Sequence, residues 1–435
     1  MPLTGLFVYF VFISSFAAAL WKPIFGVVGY LAVYLVYNNY IWWGFTFRQT
    51  FMRPSYIASI FLVVGALLHA NELKWSFSRR EIELYIFLVL IWVASLFSGI
   101  GVEDEGWMYL EKMTKVFVFI FFFIRIVNSL SHYKSVIWAL ILGGIWITYQ
   151  AYTVSEGRFS EGRLDSIGGL DFQEANGMAA FLAVIVIFIG MKALEASWWK
   201  TVCYILVIPF LLNAIIMTQS RAIFLGLLIA TPYVLVRSPH GYRKKTFLFV
   251  ILGIVLFFAL TDQKFIGRME TIERGVIHQR DEGAMGRVRF WEASLLMFRD
   301  HPLGVGVKNF EKLVGSYDPG ISGRDAHNTY VLCYSEIGIF GIALFIIIVG
   351  EAFFQVRRIG LIVKNTSCEK KIILHSYALG AVLFFFLTGY MMTHSSLYME
   401  IMWILLSLPI CLENAAKRML TEDIAQIGEN SRHGN

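Results

Sequence analysis

Thr246–Leu260 reads TFLFVILGIVLFFAL, and no rotation of that run, as helix or strand, offers water a polar face. Val116–Ile124, VFVFIFFFI, behaves the same way. A soluble helix of this length would alternate apolar and polar sides, so such segments suit lipid or the inside of a helix bundle. The whole chain agrees: 57% of its 435 residues are hydrophobic and 16% are charged. The apolar residues gather in blocks of roughly 15 to 22, the length that carries a helix across a bilayer core. The expected fold is all-α, a polytopic transmembrane helix bundle of about 12 spans. The first block, Leu3–Leu20, lacks a basic lead-in and runs through Trp21-Lys22-Pro23 into another apolar block, so it reads as a retained span and not a cleaved signal peptide.

Polar intervals set the organisation. Residues 1–260 form the first part of the bundle, 261–327 a long polar loop, 328–412 the last part of the bundle and 413–435 a polar cytoplasmic tail, expected to be solvated or disordered. Short loops carry the basic residues Arg237, Arg243, Lys244 and Lys245, then Arg357, Arg358, Lys364, Lys370 and Lys371; both are expected to be cytoplasmic. The net charge of +6 therefore speaks for membrane topology and not for nucleic acid. Counting outward from those loops, the 261–327 loop, the segment from Val154 to Asn176 and the turn Thr218–Arg221 all face the outside. Arg48 and Arg53 would face outward too, against the rule, which leaves the first pair of spans poorly fixed. Inside the long loop, Val288, Trp291, Leu295 and Phe298 recur at helical spacing and predict a helix lying along the membrane surface, stopped by Pro302. Gly304 and Gly306 then allow a tight turn.

Chemistry concentrates in that loop. Seven of its ten basic residues are arginine, Arg268, Arg274, Arg280, Arg287, Arg289, Arg299 and Arg324. A guanidinium fork grips phosphate oxygens bidentately, so the bias points to a phosphorylated ligand, against the plainer reading of pairing with the loop's ten acidic residues. Arg221 sits at a membrane boundary, as a ligand-binding cation or as a snorkelling anchor. His327 exchanges a proton near neutrality, as a base acting on a hydroxyl must. Asn328 can cap the helix that begins at Thr329, and Glu336 lies further along it. No metal-ligand pattern, Walker loop, Gly-x-Ser-x-Gly or Asp-x-Asp appears, and the four cysteines form no close pair, so neither cofactor nor metal is expected.

His327-Asn328, followed after nine residues by Gly338-Ile339-Phe340-Gly341, resembles the histidine signature of the O-antigen ligase and polymerase superfamily of bacterial membrane glycosyltransferases. Gln219-Ser220-Arg221, Gly286-Arg287-Val288-Arg289-Phe290-Trp291 and Asp300-His301-Pro302-Leu303-Gly304-Val305-Gly306 match in the same order. Lys22-Pro23-Ile24-Phe25-Gly26-Val27 and Trp43-Gly44-Phe45 more loosely resemble the exosortase-associated O-glycosylation ligases. One departure is Ala222, where the family commonly has glycine after Ser-Arg. The resemblance implies transfer of a glycan from an undecaprenyl-diphosphate carrier to a hydroxyl on lipid, protein or glycan. It places the reaction at the periplasmic face of the inner membrane, without metal or nucleotide. On it, Arg221, Arg287 and Arg289 would hold the diphosphate and His327 would take the acceptor's proton. Asn176 and Asn328 would bind substrate, and the 261–327 loop would be periplasmic.

Repeat-unit polymerisation is the neighbouring reading, and no motif separates it from ligation. A flippase or transporter is a different class, kept open by Glu400 and His394, although it would lead one to expect internal repeats that the chain lacks. A structural scaffold gives no reason for an arginine-rich loop to end in the histidine signature.

Overall fold

The structure is a computed structural model that describes residues 3–37, 54–153, 159–160, 162–172, 174–263, 265–267 and 282–433. Helices dominate. Six precede a small strand pair: α1 (Leu3–Trp21), α2 (Pro23–Val36), α3 (Pro54–Leu68), α4 (Arg79–Phe97), α5 (Asp104–Ile126) and α6 (Leu130–Thr153). Strands β1 (Phe159–Ser160) and β2 (Arg163–Leu164) pair antiparallel, with Phe159 opposite Leu164. Then come α7 (Ala175–Glu195), α8 (Trp198–Met217), α9 (Arg221–Arg237) and α10 (Arg243–Leu260). The long polar loop holds α11 (Glu282–Asp300) and α12 (Phe310–Tyr317), and α13 (Thr329–Ile362), α14 (Glu369–Phe384) and α15 (Glu400–His433) complete the order.

Among the described residues, six helical stretches are long and apolar enough to cross a membrane: Thr4–Trp21, Leu130–Thr153, Ala175–Glu195, Trp198–Met217, Thr329–Ile362 and Glu369–Tyr390. The sequence reading of about 12 is larger. The difference has visible causes. Helix α4 opens with Arg79, Arg80, Glu81 and Glu83, and α5 carries Asp104, Glu105, Glu111, Lys112 and Lys115, so part of each is polar; α2, α3 and α9 are short. Some of these charges are buried and paired. Glu81 closes a capping box with Ser78 and takes a hydrogen bond from Arg125 Nη1 at 2.7 Å, deep in the bundle.

The most buried helix is α7, packed against α6, α8 and α14; the apolar start of α15, where Trp403 and its neighbours are buried, packs against α5, α6, α13 and α14. By contrast α10, the run that announces the membrane class, buries only Thr246 and Phe257 and turns most of its apolar surface outward. Helix α15 continues through the polar tail expected to be unstructured. Pairs four residues apart, Lys417 with Glu413 at 2.7 Å and Arg418 with Glu422 at 3.0 Å, support that extension.

Helix α13 is broken at Gly338 (φ 75°, ψ −166°). The residues 302–306 fill the gap: Val305 N donates to Ser335 O, Gly306 N to Glu336 O and Ile339 N to the Pro302 carbonyl, each at 2.9 Å. Gly304 and Gly338 lie backbone against backbone, and a Cβ on either would overlap the other strand. The two glycine-bearing motifs of the sequence thus meet each other, and Gly304 serves close approach as well as a turn.

Candidate functional site

Asn328 is the N-cap of α13, its Oδ1 accepting from Tyr330 N at 2.9 Å and Val331 N at 3.2 Å. The residue before it, His327, is held in the left-handed region at φ 47°, a conformation that non-glycine residues rarely keep without support. Its imidazole is half exposed; Nδ1 lies 3.7 Å from the Asp325 carboxylate and the ring meets Phe290 of α11 edge-on at 6.1 Å. The segment after α14 is sewn to this helix start. Asn328 Nδ2 donates to Met392 O at 3.2 Å, Thr329 N to Met391 O at 2.8 Å and Thr329 Oγ1 to His394 O at 2.7 Å. That places His394 beside His327. Its Nε2 lies 3.3 Å from the Glu174 carboxylate at the head of α7. Burial lowers the His394 pKa, with Glu174 and Asp325 pulling the other way.

Two residues beyond Glu174, Asn176 Oδ1 accepts from Ser220 Oγ at 2.8 Å and from Arg163 Nη2 at 3.1 Å. Arg163 Nε also donates to Thr218 O at 3.1 Å, and Gln219, left-handed at φ 51°, donates from Nε2 to Gly162 O at 3.2 Å. The strand pair and the Thr218–Arg221 turn are therefore one unit, with Arg221 opening α9. Gly177 lets α7 pack close to Tyr390 and Met399, and Gly226 of α9 meets Gly389 in the π-helical turn Phe385–Tyr390. Glu174 and Asn176 thereby link the His327 and Arg221 neighbourhoods at one end of the bundle. The basic loops lie at the other: α9 runs from Arg221 to Arg237 and α13 from Thr329 past Arg357 and Arg358.

Helix α11 forms as the sequence predicts; it buries Phe290, Ala293, Ser294 and Met297 against the protein, and Val288, Trp291 and Leu295 of its apolar stripe stay exposed. Arg289 forks onto Asp318, Nε to Oδ2 at 2.7 Å with Nη2 on the other oxygen, which fastens α11 to the turn after α12. The backbone of Arg287 is in α11; its side chain, Arg48, Arg53, Arg268, Arg274 and Arg280 lie outside the described residues. Glu336 is buried, accepting from Phe310 N at 3.3 Å and from the Tyr398 hydroxyl. An apolar cavity of about 320 Å³ lies among α7, α8, α9, α10 and α14. Phe224, Leu228, Thr231 and Val234 line it from α9, a stripe that begins one turn beyond Arg221.

Of the residues singled out from sequence, His327, Asn328, Arg221 and Asn176 gather at this end, and Arg289 joins through α11. Sequence reading missed Arg163, Glu174 and Asp325, and took His394 only as a mark of transport. Only the order of the 391–396 segment just before an apolar run could have hinted at His394. No curated protein matches the chain. Residues 206–346, from within α8 to the middle of α13 and including Arg221, Arg289, His327 and Asn328, match the family model of O-antigen ligase, a similarity that supports a membrane glycosyltransferase of ligase or polymerase type.

Proposed function

We propose that the chain transfers a glycan from an undecaprenyl-diphosphate carrier to an acceptor hydroxyl on lipid or protein, at the periplasmic face of the bacterial inner membrane. The acceptor oxygen attacks the anomeric carbon, and the bond from that carbon to the phosphate oxygen breaks. The bonding electrons leave with the polyprenyl diphosphate, and the acceptor's proton passes to His327. The Asp325 carboxylate lies 3.7 Å from Nδ1, on that side of the ring, and leaves Nε2 as the nitrogen that takes the proton. Arg221 supplies fixed positive charge to the leaving diphosphate, with Arg163, bound to the same turn, beside it, the part that a metal ion plays in other phosphoryl-leaving reactions. Asn328 and Asn176 act by position, the first fixing His327 and the second fixing the turn that presents Arg221. The cavity below Arg221 offers an apolar chamber for the isoprenoid tail.

The observation that carries this reading is the link from Ser220–Arg221 through Asn176 and Glu174 to His394 and His327, which brings the phosphate-type cation and the base to one end of the bundle. The basic loops at the opposite end favour the periplasmic side for it. The test reconstitutes purified protein in vesicles with lipid-linked glycans extracted from the source strain, adding its lipid and protein fractions as acceptors. Glycan joined to an acceptor, with release of polyprenyl diphosphate, is the expected result. A ladder of longer lipid-linked glycans with no acceptor labelled identifies polymerisation, and the absence of any new linkage overturns the reading.

A further inference from the structure

The end of the bundle away from His327 carries a group of cations that the reaction above does not use. Lys192 lies on the last turn of α7, about 26 Å along the helix from Ala175. Its stem is buried, with 7% of the residue exposed, while Nζ keeps contact with the surface and lies over the Trp138 ring of α6 at 5.7 Å. Trp138 in turn meets Tyr204 of α8, ring centroids 6.2 Å apart, and Lys200 stands one turn before Tyr204 on the same face of α8. Helices α6, α7 and α8 all pack on one another, so Lys192 reaches Trp138 at the seam where the three meet. Lys134, one turn before Trp138 on α6, is close enough for its charge to act on Lys192.

Among the described residues, no carboxylate forms an ion pair with Lys134, Lys192 or Lys200; Glu195, at the end of α7, attracts Lys192 without one. Like charges held together on buried stems are costly unless an anion joins them. Lysines that served only as anchors would snorkel separately into water, and these converge on one aromatic seam. Toward the middle of α6 the surface turns apolar: Leu142, one turn on from the exposed Trp138, has 60% of its surface free. A phosphate bounded by lysines and interfacial aromatics, with an apolar track running from it into the bilayer, is the chemistry of a lipid headgroup. We propose that Lys134, Lys192 and Lys200 bind the phosphodiester of an anionic phospholipid, whose acyl chains lie along Trp138 and Leu142 on the outer face of α6. The site goes beyond the transferase reading and stands whether or not the chain transfers glycan.

The test follows the melting temperature of the full chain, delipidated in dodecyl maltoside, during titration with dioctanoyl-phosphatidylglycerol, dioctanoyl-phosphatidylcholine or inorganic phosphate. Phosphatidylglycerol is expected to raise it to a plateau, as a ligand of the folded state does, and the other two at equal concentration are not. Lys192→Gln and Lys134→Gln are each expected to move the midpoint of that titration about tenfold upward, the loss of one charge-assisted contact. Lys134 is only half-buried, so its variant decides the matter if Lys192→Gln fails to fold. Lys364→Gln is the control, an exposed lysine at the same end of the bundle on the C-terminal side of α13, and should leave the midpoint unchanged. No plateau with phosphatidylglycerol, an equal one with phosphatidylcholine, or a wild-type midpoint in Lys134→Gln overturns the site. An equal plateau with inorganic phosphate overturns the lipid as its ligand, and an equal loss in Lys364→Gln shows general charge attraction and overturns it too.

Discussion

Replacing Gly338 by alanine probes the device that holds the long loop against α13. At φ 75° and ψ −166° this residue occupies a region essentially reserved for glycine, and forcing a side chain there costs about 1–3 kcal/mol. The new Cβ would also overlap the Leu303 carbonyl and Gly304 nitrogen, so the neighbouring bonds from Val305, Gly306 and Ile339 must stretch or break. Losing two of the three removes roughly 1–3 kcal/mol more. The sum, about 4 kcal/mol, corresponds to a fall in melting temperature of roughly 4 °C for a chain of this size, at about 2.1 cal/mol/K of unfolding entropy per residue. Differential scanning fluorimetry in detergent measures it, with Gly350→Ala as the control. Gly350 lies on the same helix with open space at its Cβ, so alanine there is expected to be neutral or slightly stabilising. A Gly338→Ala protein melting within about 2 °C of that control would refute the strap between residues 302–306 and the broken helix.

Asn328→Ala is expected to lose about 1 kcal/mol of cap energy and the tie to Met392, while Asn328→Asp keeps the cap; neither changes the donor KM. A raised donor KM would instead put Asn328 on the substrate. Gly190 and Gly253 line the cavity with open space at Cβ, so Gly190→Leu and Gly253→Leu project a side chain into it; both proteins should melt like wild type yet bind a long-chain isoprenoid-diphosphate donor more weakly than a short-chain one. Equal KM values for the long-chain donor in filled and unfilled proteins would remove the cavity from tail binding. Because burial holds His394 below its ordinary value of 6.5, the unfolded chain binds more protons there than the folded one, and stability present above 6.5 is lost as the pH falls. Melting temperature should drop between neutral pH and pH 5 in wild type, and less so in His394→Asn, with Glu174, Asp325 and His327 common to both. Identical slopes would contradict a buried neutral His394.

The membrane class was legible because Thr246–Leu260 and its like have no polar face, a property independent of tertiary context. Helix α11 was legible as a helix from its spacing, but not the face it buries, since Phe290 and Met297 compete with Val288 and Trp291 and only the partners on α13 decide between them. The span count was harder: charges on α4 and α5 that make a helix polar by composition are paired inside the bundle, as Glu81 and Arg125 show. The Gly304 and Gly338 motifs were visible, yet their meeting was not, because no local rule relates two glycines across that loop. His327, Asn328 and Arg221 stood out for chemistry and position. Arg163 and Glu174 did not, and His394 stood out only for transport, since each gains its meaning from a partner on another element.

The central claim is that Arg221 and His327 act on the same bound donor. Single-turnover transfer in vesicles, with donor preloaded, measures it in wild type, Arg221→Ala, His327→Ala and the double variant. Each single change is expected to slow transfer by roughly a hundredfold or more, and the double change to add little, because groups serving one transition state are not additive. Either single variant transferring glycan at the wild-type rate would contradict it.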